Sequence, residues 1–333
     1  MTSAEPSGRT IVIAVTGVGA EAAPPGLEIP PDGCELRFIT SAEQLAADAA
    51  DAEVVFAWEP RLDWYERCWG WSPALRWIAA AHAGVDYLMF PALAGSDVTV
   101  TNSAGIFDDA MAEYALALVS AVCADLPATL RLQARRQWLH RDTRRLAGSD
   151  VLVLGAGGIG RAITRLLSGA GANTRCLART RRADPELGVI AGLDELPSLL
   201  PSADFVILAL PLTPATRDII GPAELGLMRR DAWLVNLGRG ALADEPALIR
   251  ALTASGTAGI GGAALDVFAT EPLPEASPLW ELPNVIVSPH MSGDARGWDR
   301  ALTDLFLAQL KRYRAGEPLA NVIDKSLGFK PGY

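Results

Sequence analysis

The chain has 333 residues, enough for about two domains, and half of them are hydrophobic, so a sizeable core can be buried. Its formal net charge of -10 argues against nucleic acid as a main partner and against a standing attraction to anionic membranes, since both need clustered surplus Lys and Arg.

In chain order, the start from Met1 to Thr10 is polar and lacks the apolar stretch of a secretion signal. Strands are then expected at Ile11–Val15, Val54–Trp58, Leu75–Ala79 and Val98–Thr101. The apolar stretch Asp109–Leu126 carries Glu113 and Asp125, is too short to span a bilayer, and reads as a buried core helix. Further strands are expected at Val151–Leu154, Thr174–Leu177, Phe205–Leu210, Trp233–Leu237, Ala263–Val267 and Val285–Ser288. Helical patterns fall between them, at Ile159–Ser168, Glu245–Ala254 and Arg296–Ala315.

Continuous apolar strands alternating with helices predict an α/β fold: two Rossmann-like domains with parallel, doubly wound sheets and a cleft between them. Boundaries are expected near Thr101–Asn102 and Ser292–Gly293. Residues 1–101 with 294–333 would form a substrate-binding, catalytic domain, and residues 102–293 a dinucleotide-binding domain. The segment Leu319–Tyr333 is expected as an extended surface tail. The four cysteines, Cys34, Cys68, Cys123 and Cys176, form no CxxC pair and have no His at ligand spacing. They are expected to be reduced thiols of a cytoplasmic protein, with no metal site.

The run Gly155-Ala156-Gly157-Gly158-Ile159-Gly160 follows an expected strand and opens an expected helix. That is the G-x-G-x-x-G setting of a dinucleotide site. Gly155 permits the tight turn, Gly157 lets the backbone approach a pyrophosphate, and Gly160 allows close helix–strand packing. An NAD site usually adds an Asp or Glu about 20 residues on. From Arg161 to Ala183 there is no acid; the next strand ends instead in Ala178-Arg179-Thr180-Arg181-Arg182. Arg179, Thr180 and Arg181 suit a ribose 2′-phosphate, so NADP(H) is expected over NAD(H), with NAD(H) still possible. The same run also fits a solvated surface turn.

Only His82, His140 and His290 exist as histidines. His140 lies in a polar stretch, and His82 reads as a bystander beside a strand end. His290 follows a strand and Pro289, at a carboxyl edge where α/β proteins place their chemistry. A carbonyl reduction needs a proton donor active near neutral pH, which suits His. Arg239 ends another strand among small residues, where a planar guanidinium can grip a carboxylate. Glu271 follows a third strand, and a carboxylate beside His290 would fix its tautomer. Taken singly, each is a common residue after a strand.

Five ordered runs change that: Gly155–Gly160, Leu210–Arg217, Val235–Gly240, Gly262–Pro272 and Ser288–Gly293. Their order and spacing resemble the D-isomer-specific 2-hydroxyacid dehydrogenase family over essentially the whole chain, most strongly from Thr101 onward. The stretch Cys176–Arg182 looks most like the NADPH-using glyoxylate/hydroxypyruvate reductase branch. The resemblance implies catalysis by Arg239, Glu271 and His290, and a backbone cradle for the substrate carboxylate at Gly84 and Val85. It implies nicotinamide-side contacts at Leu237, Asp266 and Gly293, with Gly238 and His290 also against the cofactor. It further implies adenosine-side contacts at Leu210, Pro211 and Thr216, with Gly158 and Ile159 under the pyrophosphate. Homodimers are implied, the cofactor domain supplying most of the contact.

The expected reaction is hydride transfer between NADP(H) and a 2-oxo acid/D-2-hydroxy acid pair such as glyoxylate, hydroxypyruvate or a bulkier acid. Trp58 and Trp298, with Tyr87 and Met291, are candidates for an apolar wall around the side chain, or ordinary packing residues. A relative acting on formate or phosphite is an alternative; formate dehydrogenases of this fold resemble the pattern but pair their histidine with glutamine, and Glu271 speaks against them. Dinucleotide-sensing corepressors that share the fold keep the triad, so the motifs leave that reading open.

Overall fold

The computed structural model describes residues 10–59, 63–254 and 259–330. The expectation for Met1 to Arg9 therefore lies outside the described residues, as does the end of the tail at 331–333. The chain divides into two compact units, one within Met1–Ile106 and Arg296–Pro331, the other within Phe107–Ala295. The changeover at Ile106–Phe107 falls beyond the expected Thr101–Asn102 junction. The reason is local hydrogen bonding: the Asn102 amide donates to Asn321 O at 3.1 Å, and the Ser103 amide to His82 O at 3.0 Å.

The first unit holds five parallel strands: β1 (Ile11–Thr16), β2 (Cys34–Ile39), β3 (Val54–Ala57), β4 (Trp77–Ala80) and β5 (Thr99–Thr101). Their order is β2-β1-β3-β4-β5, a doubly wound sheet. β3 and β4 are buried at every position, which explains their unbroken apolar sequence. β2 was not expected, because at the sheet edge it carries Glu35 and Arg37 and no continuous apolar run. The helix Trp298–Arg314 returns to this unit, where Phe306 stacks on Phe56 with ring centroids 4.3 Å apart. The segment expected as a surface tail is pinned instead. Val322 bridges Thr101, Ile323 is buried, and Lys325 Nζ donates to the carbonyls of Leu93 at 3.2 Å and Val98 at 3.0 Å.

The second unit holds β6 (Asp150–Leu154), β7 (Asn173–Ala178), β8 (Arg182–Asp184), β9 (Gly188–Gly192), β10 (Phe205–Leu208), β11 (Trp233–Asn236), β12 (Gly262–Leu265) and β13 (Val285–Val287). Their order is β13-β12-β11-β10-β6-β7-β9-β8. Period-two alternation splits each central strand between two cores. Leu152, Leu154, Val206 and Leu208 enter one cluster, while Val151, Val153, Phe205 and Ile207 enter the other. The expectation of wholly parallel sheets needs one correction: β8 runs antiparallel to β9. The Asp184-Pro185-Glu186-Leu187-Gly188 turn, closed by Asp184 and by Gly188 at φ +74°, folds this edge into a hairpin. The helix Asp108–Cys123 is buried along Ala112, Ala115 and Val119 and packs on the helix Gly158–Gly169. Among the described residues, no single helix is long and apolar enough to cross a membrane.

Candidate active site

The order of strands in the second unit lays the sequence-predicted residues out along one sheet edge. Loops leaving the carboxyl ends of β13, β12 and β11 carry His290, Glu271 and Arg239. The next loops, after β10, β6 and β7, carry Leu210 and Pro211, then Gly155–Gly160, then Arg179–Arg182. Adjacent strands lie about 4.8 Å apart, so strands far apart in sequence deliver neighbouring side chains. The glycine loop and the loop after β10 flank the point where the chain order of the sheet reverses, which is where open α/β sheets leave a crevice for ligands.

His290 Nδ1 lies 2.8 Å from Glu271 Oε2. The other oxygen, Glu271 Oε1, accepts the Phe268 amide at 2.9 Å, which aims the carboxylate at the ring. Glu271 is 12% exposed and His290 38%, so the ring is open on the side away from its partner. With Nδ1–H donated to Glu271, Nε2 is the ring atom placed for proton exchange. His290 has φ +52°, a left-handed backbone that a non-glycine residue adopts only when its surroundings impose it.

Those surroundings centre on Asp266, which is fully buried. Its Oδ1 accepts the Ser288 hydroxyl at 2.7 Å and the Met291 amide at 3.0 Å, and its Oδ2 accepts the Ser292 amide at 2.9 Å. The expected cofactor contact thus places its carboxylate beneath the His290 loop as an anchor, a role sequence reasoning missed. Reasoning also missed Asp294, an exposed residue whose carboxyl is pushed up by partial desolvation beside His290. Its closeness in sequence to His290 was the only available signal.

Arg239 sits in a turn fixed by buried Asn236, whose Nδ2 donates to Arg239 O at 2.9 Å and whose Oδ1 accepts the Gly238 amide at 3.1 Å. Gly240 follows because a Cβ there would stand 2.0 Å from the Phe268 carbonyl carbon. This close approach sets the Arg239 turn directly against the segment that orients Glu271. The side chain of Leu237 is core, and its amide donates to Leu208 O at 3.1 Å. Gly293 is required by Phe107, whose ring would lie 2.8 Å from an added Cβ.

The glycine loop fits a pyrophosphate. Gly155 has φ +126°, and a Cβ there would meet Ala209 O at 2.4 Å; one on Gly160 would meet Gly155 O at 1.8 Å. The helix Gly158–Gly169 begins here with Gly157 as its extended N-cap, so the first-turn amides at Gly158, Ile159 and Gly160 are available to an anion. The Asp108 carboxylate lies against this helix end, 2.2 Å from where a Gly158 Cβ would be. Beyond β7, Ala178 is buried where an acid would meet a ribose 2′-OH, and Arg179 and Thr180 are exposed without a polar partner among the described residues. Arg181 pairs with Glu195 at 2.5 Å. Thr216 turns inward, donating to Pro211 O at 2.7 Å and accepting the Thr213 amide at 2.9 Å, so it shapes the loop after β10 together with buried Leu210. Among the described residues, no group of three or more His, Cys, Asp and Glu is arranged to hold a metal ion.

In the first unit, Trp58 leaves the end of β3 and stacks on Trp298, with ring centroids 6.1 Å apart and planes 10° apart. Gly84 and Val85 follow β4, and their amides donate no hydrogen bond among the described residues. Their turn is held by Asn102 Nδ2, which donates to Ala83 O at 2.6 Å. Tyr87 turns its hydroxyl to His82 Nδ1 at 3.4 Å, and Met291, in the other unit, is exposed.

Comparison with known proteins identifies the family. Residues 116–292 match the model of the D-isomer specific 2-hydroxyacid dehydrogenase NAD binding domain. A glyoxylate reductase of Thermococcus gammatolerans is 31% identical, over 79% of this chain and 80% of that protein. The solved NADPH-dependent glyoxylate/hydroxypyruvate reductase of Sinorhizobium meliloti, in complex with NADP and sulfate, superposes with a TM-score of 0.83 at 26% identity, over 96% of this chain and 100% of that one. A D-isomer specific 2-hydroxyacid dehydrogenase of Xanthobacter autotrophicus Py2, in complex with NADPH and MES, gives 0.77 at 30% identity, again over 96% and 100%.

Proposed function

The chain belongs to the D-isomer-specific 2-hydroxyacid dehydrogenase family and is an oxidoreductase, and from that premise we propose that it reduces small 2-oxo acids with NADPH. The observation that carries this reading is the pairing of His290 with Glu271 at 2.8 Å, at the ends of neighbouring strands beside Arg239. Bound NADPH would supply the hydride. Arg239 binds the substrate carboxylate and polarises its carbonyl, so charge developing on oxygen meets a fixed cation. Protonated His290 gives its Nε2 proton to that oxygen, and Glu271 holds the imidazolium until it does.

Three observations support NADPH over NADH: the buried Ala178 in place of an acid, Arg179 and Thr180 exposed without a polar partner among the described residues, and the NADP or NADPH held by two solved relatives. The stacked Trp58 and Trp298 offer a flat apolar surface suited to side chains larger than that of glyoxylate. We place the protein in the cytoplasm, where its free cysteines stay reduced, and as a homodimer. Leu130, Trp138 and Leu139 stand exposed in one stretch of the second unit, Trp138 at 101%, which supports their being covered by a second copy.

The test is the rate of NADPH and NADH oxidation with glyoxylate, hydroxypyruvate, pyruvate and bulkier aliphatic and phenyl-bearing 2-oxo acids. The reading expects turnover, faster with NADPH. Preference for NADH would remove the arginine account and keep the enzyme; no turnover with any 2-oxo acid would remove the substrate class.

A further inference from the structure

We propose that Arg161 is a positioning residue for cofactor choice: by tying Asp184 to the glycine loop, it holds the Arg179–Arg182 turn where a ribose 2′-phosphate would be met. This rests on the NADP reading above and adds to it a residue outside the turn itself.

Arg161 follows Gly160 directly, in the first turn of the helix Gly158–Gly169. Its Nε donates to Ala156 O, within the glycine loop, at 3.1 Å. Its Nη1 donates to Asp184 Oδ1 at 3.1 Å and to Glu186 Oε2 at 3.3 Å, and its Nη2 to Asp184 Oδ2. One planar guanidinium therefore binds the pyrophosphate loop and the β8–β9 hairpin at once, a bridge a lysine cannot copy. With every nitrogen so engaged, Arg161 acts on the cofactor through the hairpin.

The tie adds to the Arg165–Glu186 pair at 2.9 Å and to the packing of Ile190 and Leu187 beside Ala156, Cys176 and Ala178, while the sheet itself holds the hairpin only narrowly. β9 joins the sheet through two residue pairs, Leu177↔Ala191 and Ala178↔Gly192, and β8 pairs with β9 alone. Asp184 closes β8 with its side chain only 7% exposed, and its Oδ1 also accepts the Glu186 and Leu187 amides at 3.0 Å each. At the other side of the turn, Glu195 holds Arg181 and accepts the Gly192 amide at 2.9 Å. The turn is thus clamped on both flanks, and Arg179 and Thr180 are left at its centre with exposed polar groups. A clamp of this kind fixes donors in place before a phosphate arrives.

The experiment measures dissociation constants for NADPH and NADH by fluorescence titration, with kcat for each, in the wild type, Arg161→Gln and Asp184→Asn, thermal melting confirming that each variant folds. The expected result in both variants is a roughly tenfold weaker NADPH complex, the size of one lost charge-assisted hydrogen bond, with NADH binding changed less than about twofold and kcat retained. Equal weakening of both cofactors, or an unchanged NADPH constant in a wild-type background that prefers NADPH, would overturn the role of Arg161 alone. A wild type without NADPH preference would overturn it together with the cofactor reading.

Discussion

Glu271 is bound at both ends: Oε1 accepts the Phe268 amide at 2.9 Å while Oε2 lies 2.8 Å from His290 Nδ1. The carboxylate is therefore aimed at the ring by the backbone that precedes it. Glu271→Gln preserves the shape and the Phe268 bond, but presents an amide N–H to Nδ1 and removes the charge that favours imidazolium. The reduction rate should fall roughly a hundredfold, the scale of a weakened general acid, with the NADPH dissociation constant little changed. Single-turnover rates with a cofactor titration check this; a wild-type rate would remove Glu271 from proton handling.

Asp266→Ala should be costly although it removes none of the catalytic side chains. It strands the Ser288 hydroxyl and the Met291 and Ser292 amides in a buried site and releases the loop that holds His290 at φ +52°. A loss of about 3 kcal/mol in urea unfolding is expected from unsatisfied buried donors, with kcat reduced and the cofactor constant little changed.

These two carboxylates mark how far the sequence was legible. The central strands of both sheets could be read from apolar runs because a strand buried on both faces has few polar positions. β2 and the β8–β9 hairpin could not, since edge strands with polar side chains carry no such run. The residues His290, Glu271 and Arg239 were found because each follows a strand and their loops come in a recognisable order. The anchoring function of Asp266 was hidden: its partners are two backbone amides and a serine about 25 residues on, and backbone donors leave no trace in residue identity. Asp184 was passed over for the same reason, as its pairing with Arg161 depends on a turn that no periodicity announces.

Asp108 offers a prediction of opposite sign. Its carboxylate lies against the start of the helix Gly158–Gly169, where a negative charge is favoured in the absence of ligand but opposes an arriving pyrophosphate. Asp108→Asn should tighten NADPH and NADH alike by roughly two- to fivefold and lower the melting temperature of the ligand-free protein. Selective tightening of one cofactor would contradict this account, because both carry the same pyrophosphate.

Asp184 should also shape acid stability. The Arg161 guanidinium, then the Leu187 amide, hold its carboxyl far below the ordinary carboxylate range. A depressed folded value means that its contribution is complete above the unfolded value near pH 4 and is lost as pH falls further. Urea midpoints of the wild type and Asp184→Asn should therefore differ most above about pH 5 and converge in stronger acid. A gap that is constant with pH would place the effect of Asp184 in packing instead of charge.

The central claim is that His290 delivers the proton in reduction of a 2-oxo acid, and single-turnover mixing of the NADPH complex with substrate tests it most directly. His290→Ala should slow NADPH consumption by about 100- to 10,000-fold, the span of a lost general acid, while the NADPH dissociation constant stays near that of the wild type. A variant that consumes NADPH at the wild-type rate, or that loses cofactor binding as severely as turnover, would contradict it.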